Sequence, residues 1–222
     1  MKIIIIHTNE RTVNLSREIA AKQGEVHLLS VRPREKAITA SYRLAIKNKW
    51  KWMILLAADQ FLEDNAIQRL TEEALKSKKN IFRISGCGYD HLLMHNRKMS
   101  PSIYRVSLLR EALKTNVEKK VQPESWMLHS MERKGYPYIT IKDLLATHDM
   151  EQYYRDIYRK GLFESSKFLD YIYHKNVIDD LEKSDNDDHK IFLLGINDFI
   201  NKIQRTPEEA LKLLNLTEKE PL

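Results

Sequence analysis

The chain has few of the residues that cross-link or punctuate small secreted folds: one cysteine, six prolines and six glycines among 222 residues. A lone thiol, Cys87, forms no intramolecular disulfide and no Cys-rich zinc site, and a cytoplasmic location is the expectation. Long apolar runs are missing too. The best, Trp52–Ala58, has the length of a strand, far short of the ~20 residues that span a bilayer. Met1–Ile6 turns polar by His7, before it reaches the length of a secretory core. Several motifs are also absent: Gly-x-x-x-x-Gly-Lys, Gly-x-Gly-x-x-Gly after the first strand, Gly-x-Ser-x-Gly and His-Glu-x-x-His. Their absence argues against P-loop, classical dinucleotide, serine-elbow and zincin chemistry.

What the chain does have is charge and ordered apolar periodicity. There are 37 basic against 31 acidic side chains, a net charge of +6, and 42% of residues are hydrophobic. Basic residues gather in two stretches. One holds Arg32, Arg34 and Lys36, then Lys47, Lys49 and Lys51. The other holds Arg97, Lys98, Arg105 and Arg110. They fit an anionic partner (nucleic acid, a phosphorylated small molecule or a lipid surface) or simply a solvated face. No recognised nucleic-acid module accompanies them, so nucleic acid is not expected as a partner.

Hydrophobic patterning orders the elements. Lys2–His7 reads as a buried strand, Asn14–Gln23 as a helix stopped by Gly24, and Glu25–Val31 as a strand ended by Pro33. Ala37–Lys49 reads as a helix and Trp52–Ala58 as a third strand. Asp64–Lys78 reads as a helix capped by Asp64 or Asn65. Three strand–helix pairs in succession predict a doubly wound α/β sheet whose ligands sit beyond the strands' carboxyl ends. Beyond Asn80 the pattern gives short strands over Ile81–Ser85 and Tyr89–Met94 around a Gly86-Cys87-Gly88 turn. A polar, basic loop His95–Pro101 and a helix Ser107–Lys114 follow. Next come a helix Ser125–Lys134 and a strand Tyr138–Ile141. The remainder is helical over Met150–Gly161, Ser165–His174, Lys190–Ile203 and Pro207–Leu214.

Three side chains draw attention. Asp59 ends the third strand, where a carboxylate holds either a metal or a turn. Glu124 opens a helix after Pro123, a position that also suits simple capping. His148 follows the apolar run Leu144–Ala146 and precedes Asp149; it is a metal ligand or an ordinary surface histidine.

In order and spacing, these residues resemble the GT-A glycosyltransferases, in particular the inverting family 2. The segment Ala37–Ala45 looks like that family's helix of small residues, and Trp52–Asp59 like its strand and Asp-x-Asp motif. Pro123–Met127, Gly135 and Thr147-His148 look like its Glu-Asp helix, glycine and histidine. The resemblance implies a GT-A domain over residues 1–161, mainly a parallel sheet flanked by helices, with a helical extension over 162–222.

Function follows by the same likeness: transfer of a sugar from a nucleotide-diphosphate donor, UDP-sugars foremost, to a glycan or other hydroxyl acceptor with inversion. Asp59 and His148 would hold Mn2+ or Mg2+, and Glu124 would be the catalytic base. Thr8, Asn9, Arg11, Arg32, Lys36, Gln60, Arg155, Arg159 and Lys160 would bind the nucleotide-sugar. His95, Arg97, Arg105 and Trp126 would face the acceptor.

The chain departs from the family at three places. Ala57 replaces the first carboxylate of Asp-x-Asp, Pro123-Glu124 replaces Glu-Asp, and Val31-Arg32-Pro33-Arg34 stands where Asp-Asp-Gly-Ser is usual. A catalytically inactive relative that binds a nucleotide, glycan or protein is therefore the competing expectation. For the C-terminal helices, with Phe168, Ile172, Tyr173, Ile191, Leu194, Ile196 and Phe199, packing onto the domain or a homodimer contact is expected. Peripheral membrane association is a further expectation, against which the acidic stretch Asp179–Asp188 argues.

Overall fold

The computed structural model describes residues 1–118, 120, 122–174, 176–220 and 222, with the side chains of 99–100 and 167–174 outside the description. The elements run β1 (Lys2–Ile6), α1 (Val13–Ala21), β2 (Glu25–Leu29), α2 (Arg34–Lys47), β3 (Trp52–Ala57), β4 (Gln60–Leu62) and α3 (Ala66–Lys76). Then come β5 (Arg83–Asp90), β6 (His95–Arg105), α4 (Val106–Ala112), α5 (Pro123–Arg133) and β7 (Tyr138–His148). The chain ends with α6 (Tyr154–His174), α7 (Val177–Glu182), α8 (Asp187–Ile200) and α9 (Pro207–Leu213). Two compact units result: residues 1–89 with 96–148, and residues 90–95 with 149–222. The division at residue 161 expected from sequence falls inside α6, all of which belongs to the second unit.

The first unit is an α/β sandwich on a sheet ordered β2-β1-β3-β6-β5-β7-β4. β1 pairs in parallel with both β2 and β3, while β6 runs antiparallel to β3 and β7 to β4. The apolar runs of β1 and β3 are explained by burial on both faces. Ile3, Ile5, Ile54 and Leu56 pack under α1 and α3, whereas Ile4, Met53 and Leu55 pack under α2, α4 and α5. Successive residues of each strand thus serve opposite layers, as the period of two requires.

Four local expectations are corrected. Gly86-Cys87-Gly88 is not a turn but the middle of β5, because a Cβ on Gly86 would lie 2.3 Å from the Leu145 side chain packed against it. The loop His95–Pro101 is part of strand β6, which runs between β3 and β5 in the sheet, and membership of the sheet overrides a segment poor in strand formers. Asn65 precedes α3 with a left-handed φ of 59° and makes no side-chain cap bond. Residues 154–174 form one helix rather than two.

The second unit packs α6, α7, α8 and α9 around Ile157, Tyr158, Leu181, Phe192 and Ile196, joined by Leu92 and Leu93. Phe199 is exposed on α8, while the expected packing of Phe168, Ile172 and Tyr173 falls outside the described side chains. Inside the unit the Tyr158 hydroxyl donates to Asp198 at 2.8 Å, and Arg205 meets the same carboxylate oxygen at 2.9 Å. Burial first, then the Asp198 carboxylate, pushes Tyr158 up to about 12, so it remains a donor. Among the described residues no helix is long and apolar enough to cross a membrane.

Candidate functional site

Asp59 occupies the turn between β3 and β4, and the backbone there is clamped from three directions. Ala58 N donates to Ile6 O of β1 at 3.1 Å, and Gln60 Oε1 accepts from Ala57 N at 3.2 Å. The buried hydroxyls of Thr12 and Ser16 donate to Ala58 O and Gln60 O at 2.8 and 3.0 Å, satisfying carbonyls that water does not reach. Gln60, expected at the nucleotide, is itself buried, and its side-chain oxygen braces this turn.

The antiparallel pairing of β4 with β7 then delivers His148. Its register sets Gln60 opposite His148 and Leu62 opposite Ala146, closing a long sequence separation through three residue pairs. His148 Nε2 stands 3.5 Å from Asp59 Oδ2, with both side chains largely buried. Asp149, the next residue, opens the second unit and is buried. Lys160 forms an ion pair with Asp149.

A carboxylate and an imidazole are a donor pair that could hold a divalent ion. Atoms each ~2.2 Å from a shared ion are at most about 4.4 Å apart, and this pair, 3.5 Å apart, lies within that limit.

Glu124 lies elsewhere in the first unit. Proline at the first turn starts α5, and the carboxylate follows it, where the helix dipole favours a negative charge. Tyr104 donates its hydroxyl to Glu124, Arg83 Nε lies 3.7 Å away and Arg34 Nη2 3.9 Å away. Burial alone would raise the carboxyl; Arg83, Arg34 and the Tyr104 hydroxyl outweigh it and hold it below its ordinary value. Arg83 also donates to Ser102 Oγ at 2.9 Å through Nε and at 2.7 Å through Nη2. Burial first, then Glu124, keeps Tyr104 protonated.

This carboxylate network escapes a sequence reading because its members come from α2, β5, β6 and α5. The one available signal is Arg83 itself, a cation in the otherwise apolar run Ile81–Ile84.

Thr8, Asn9 and Arg11 lie in the β1–α1 connection, Arg32 just before α2 and Lys36 in its first turn. Because Ile6 pairs with Leu29 and Ala57, these segments share the sheet end that carries Asp59. Arg32 joins two of them by donating to Thr8 O at 2.5 Å, while Glu10 accepts from Thr8 N and Oγ1 at 2.6 and 2.7 Å.

The expected acceptor residues are not gathered by a loop. Arg97 and Arg105 stand eight residues apart along β6, roughly 27 Å at ~3.4 Å per residue. Trp126 is half exposed on α5 beside Lys120, in a cleft of about 430 Å³. His95 accompanies residues 90–94 in the second unit, its Nδ1 2.6 Å from Leu93 O. Arg155, Arg159 and Lys160 also belong to that unit. Arg155 lies over the Tyr153 ring, and Arg159 pairs with Asp156 at 3.3 Å.

The sheet order and its flanking helices give a fold like that of solved nucleotide-sugar transferases. A mannosyltransferase from Pyrobaculum calidifontis, solved in complex with GDP-Man and Mn2+, shares it with a TM-score of 0.51 at 11% identity. The match covers 96% of this chain and 78% of that one. A glycosyltransferase involved in glycosylation of the major capsid of PBCV-1 is more distant: TM-score 0.43, 11% identity, 66% and 92% covered. A 4-diphosphocytidyl-2C-methyl-D-erythritol synthase from Anaerococcus prevotii gives 0.47, 10% identity, and 64% and 87%. No protein-family model matches the chain, and no curated protein does.

Proposed function

We propose that this chain is a metal-assisted glycosyltransferase that moves a sugar from a nucleotide-diphosphate donor, with UDP-sugars first among the candidates, to a hydroxyl acceptor with inversion. The observation that carries the reading is the Asp59–His148 pair at the carboxyl end of β3, where open α/β sheets receive their ligands. Asp59 and His148 hold Mn2+ or Mg2+ in this reading. A bound divalent ion supplies Lewis-acid stabilisation of charge on the departing diphosphate. The neighbour solved with GDP-Man and Mn2+ supports that choice by analogy of fold. Thr8, Asn9, Arg11, Arg32 and Lys36, at the same sheet end, bind the nucleoside diphosphate.

Glu124 takes the acceptor proton as general base. It is ionised at neutral pH, as a base must be, but its arginine neighbours weaken its hold on a proton. Bases work best with a pKa near the working pH. That observation favours a second reading, a nucleotide-sugar-binding module that performs no transfer.

Turnover separates the two. The first reading expects slow, Mn2+-dependent cleavage of the donor when acceptor is absent. It also expects Glu124→Gln to lower transfer by ~100-fold or more while donor affinity stays within about twofold. Undiminished transfer by Glu124→Gln rejects the base assignment. A wild-type protein that binds donor and never turns it over leaves the module.

A further inference from the structure

Two basic stretches that are far apart in sequence converge in space. Lys49 and Lys51, in the connection before β3, meet Arg105 and Arg110 across a cleft of about 360 Å³, with Trp50 and Ser107 also lining it. Four cations and a hydroxyl thus surround one concavity, and none of its lining residues is acidic. The cleft lies at the opposite end of β3 from Asp59: Lys51 precedes the strand and Asp59 follows it, roughly 20 Å of strand apart. It is therefore separate from the metal and donor site.

One cation is already fixed in place. Arg105 lies 4.2 Å over the Trp52 ring and donates to Ile81 O, Lys78 O and Ser77 Oγ at 3.1, 3.0 and 2.9 Å. A guanidinium oriented this way loses little further freedom on binding a ligand. Lys49, Lys51, Ser107 and Arg110 are exposed, so they can close on an anion from outside. Ile46, Trp50 and Val106 give the cleft an apolar lining. The volume is at the small end of ligand pockets, enough for a phosphate with a modest group attached.

We propose that this cleft binds a phosphate group, carried either by a small phosphorylated molecule or by a lipid headgroup. Four cations around one concavity match a dianionic or more highly charged phosphate better than a single carboxylate. An apolar lining beside the cations suits a ligand whose phosphate is attached to a less polar body.

The test uses the full chain in EDTA, so that the metal site takes no part. Pyrophosphate is titrated calorimetrically into wild type, Lys51→Glu/Arg110→Glu and Lys22→Glu, the last an exposed lysine at the end of α1 that belongs to neither site. Co-sedimentation with phosphatidylcholine vesicles, with and without phosphatidic acid, forms the second arm. The expected result is saturable binding that falls roughly tenfold or more in Lys51→Glu/Arg110→Glu, is unchanged in Lys22→Glu and weakens with added salt. The milder pair Lys49→Ala/Arg110→Ala gives a smaller loss and guards against misfolding of the charge-reversed protein.

Loss confined to pyrophosphate assigns the cleft to a soluble ligand; loss confined to phosphatidic acid vesicles assigns it to a lipid headgroup. Either supports the proposal. No binding in either arm, equal binding by wild type and the charge-reversed pair, or an equal loss in Lys22→Glu overturns it. Because Lys51 and Arg110 lie outside the donor site, Mn2+-dependent donor binding stands or falls separately.

Discussion

Replacing Gly195 by alanine is expected to destabilise the second unit by about 2 kcal/mol, although the same change on an isolated helix would stabilise it by up to about 1 kcal/mol. The sign is set by a helix crossing. Gly161 on α6 and Gly195 on α8 meet there, and a Cβ on Gly195 would lie 2.4 Å from Tyr158 O and 3.1 Å from the Gly161 Cα. A Cβ on Gly161 meets Phe192 O at 2.4 Å. Both obstacles are backbone, so no side chain can rotate away and the helices must part. Ile157, Phe192 and the other residues of the unit's core would then pack less closely. A thermal melt should show the loss as a drop of roughly 10 °C in the transition of the helical unit. A melting temperature equal to or above wild type would mean that the crossing is looser than described.

The second large effect concerns Arg83. Replacing it by methionine leaves Glu124 charged beside Tyr104 with the exposed Arg34 as its one remaining cationic neighbour among the described residues, and removes a donor from Ser102. An abandoned, mostly buried charge costs about 3 kcal/mol. The double replacement Arg83→Met/Glu124→Met should be much less harmful than Arg83→Met alone, because no charge is then left behind. Chemical denaturation of the three proteins checks this, and a double mutant destabilised by the sum of the single changes would contradict it.

The same network predicts a pH effect. Glu124 has its carboxyl lowered in the folded state, so its contribution is complete above the ordinary carboxylate value of about 4.5. It is lost as pH falls through the lower folded value. Glu124→Gln should therefore lose stability relative to wild type at pH 7 and converge with it in acid.

Much of the fold was legible because burial on both faces leaves an unmistakable trace. Four isoleucines at residues 3–6 and the run 52–58 are strands of the parallel core, and the helices between them show their stripes. Residues 95–101 look like a loop because the strand character of this part of β6 comes from its place in the sheet beside β5 rather than from its own residues. β4, only three residues long, has no periodicity to detect; yet it brings His148 to Asp59. The order of Asp59 and His148 in the chain suggested a common site, and a strand register accounts for their meeting. The surroundings of Glu124 could not be foreseen. A carboxylate after a proline looks the same in sequence whether it is poised for a proton or held by two arginines. The Gly161–Gly195 contact is equally silent, since each glycine by itself resembles a helix interruption.

In the proposed reaction a divalent ion joins a nucleotide diphosphate to the acidic turn after β3. Calorimetric titration of UDP-sugars and GDP-mannose, with Mn2+ and with EDTA, compares wild type with Asp59→Asn and His148→Ala. The prediction is a donor that binds wild type at least tenfold tighter with Mn2+ than in EDTA, with that gain gone in both variants while their melting temperatures stay near wild type. Donor affinity that is the same with and without the ion, or the same in wild type and Asp59→Asn, would contradict it.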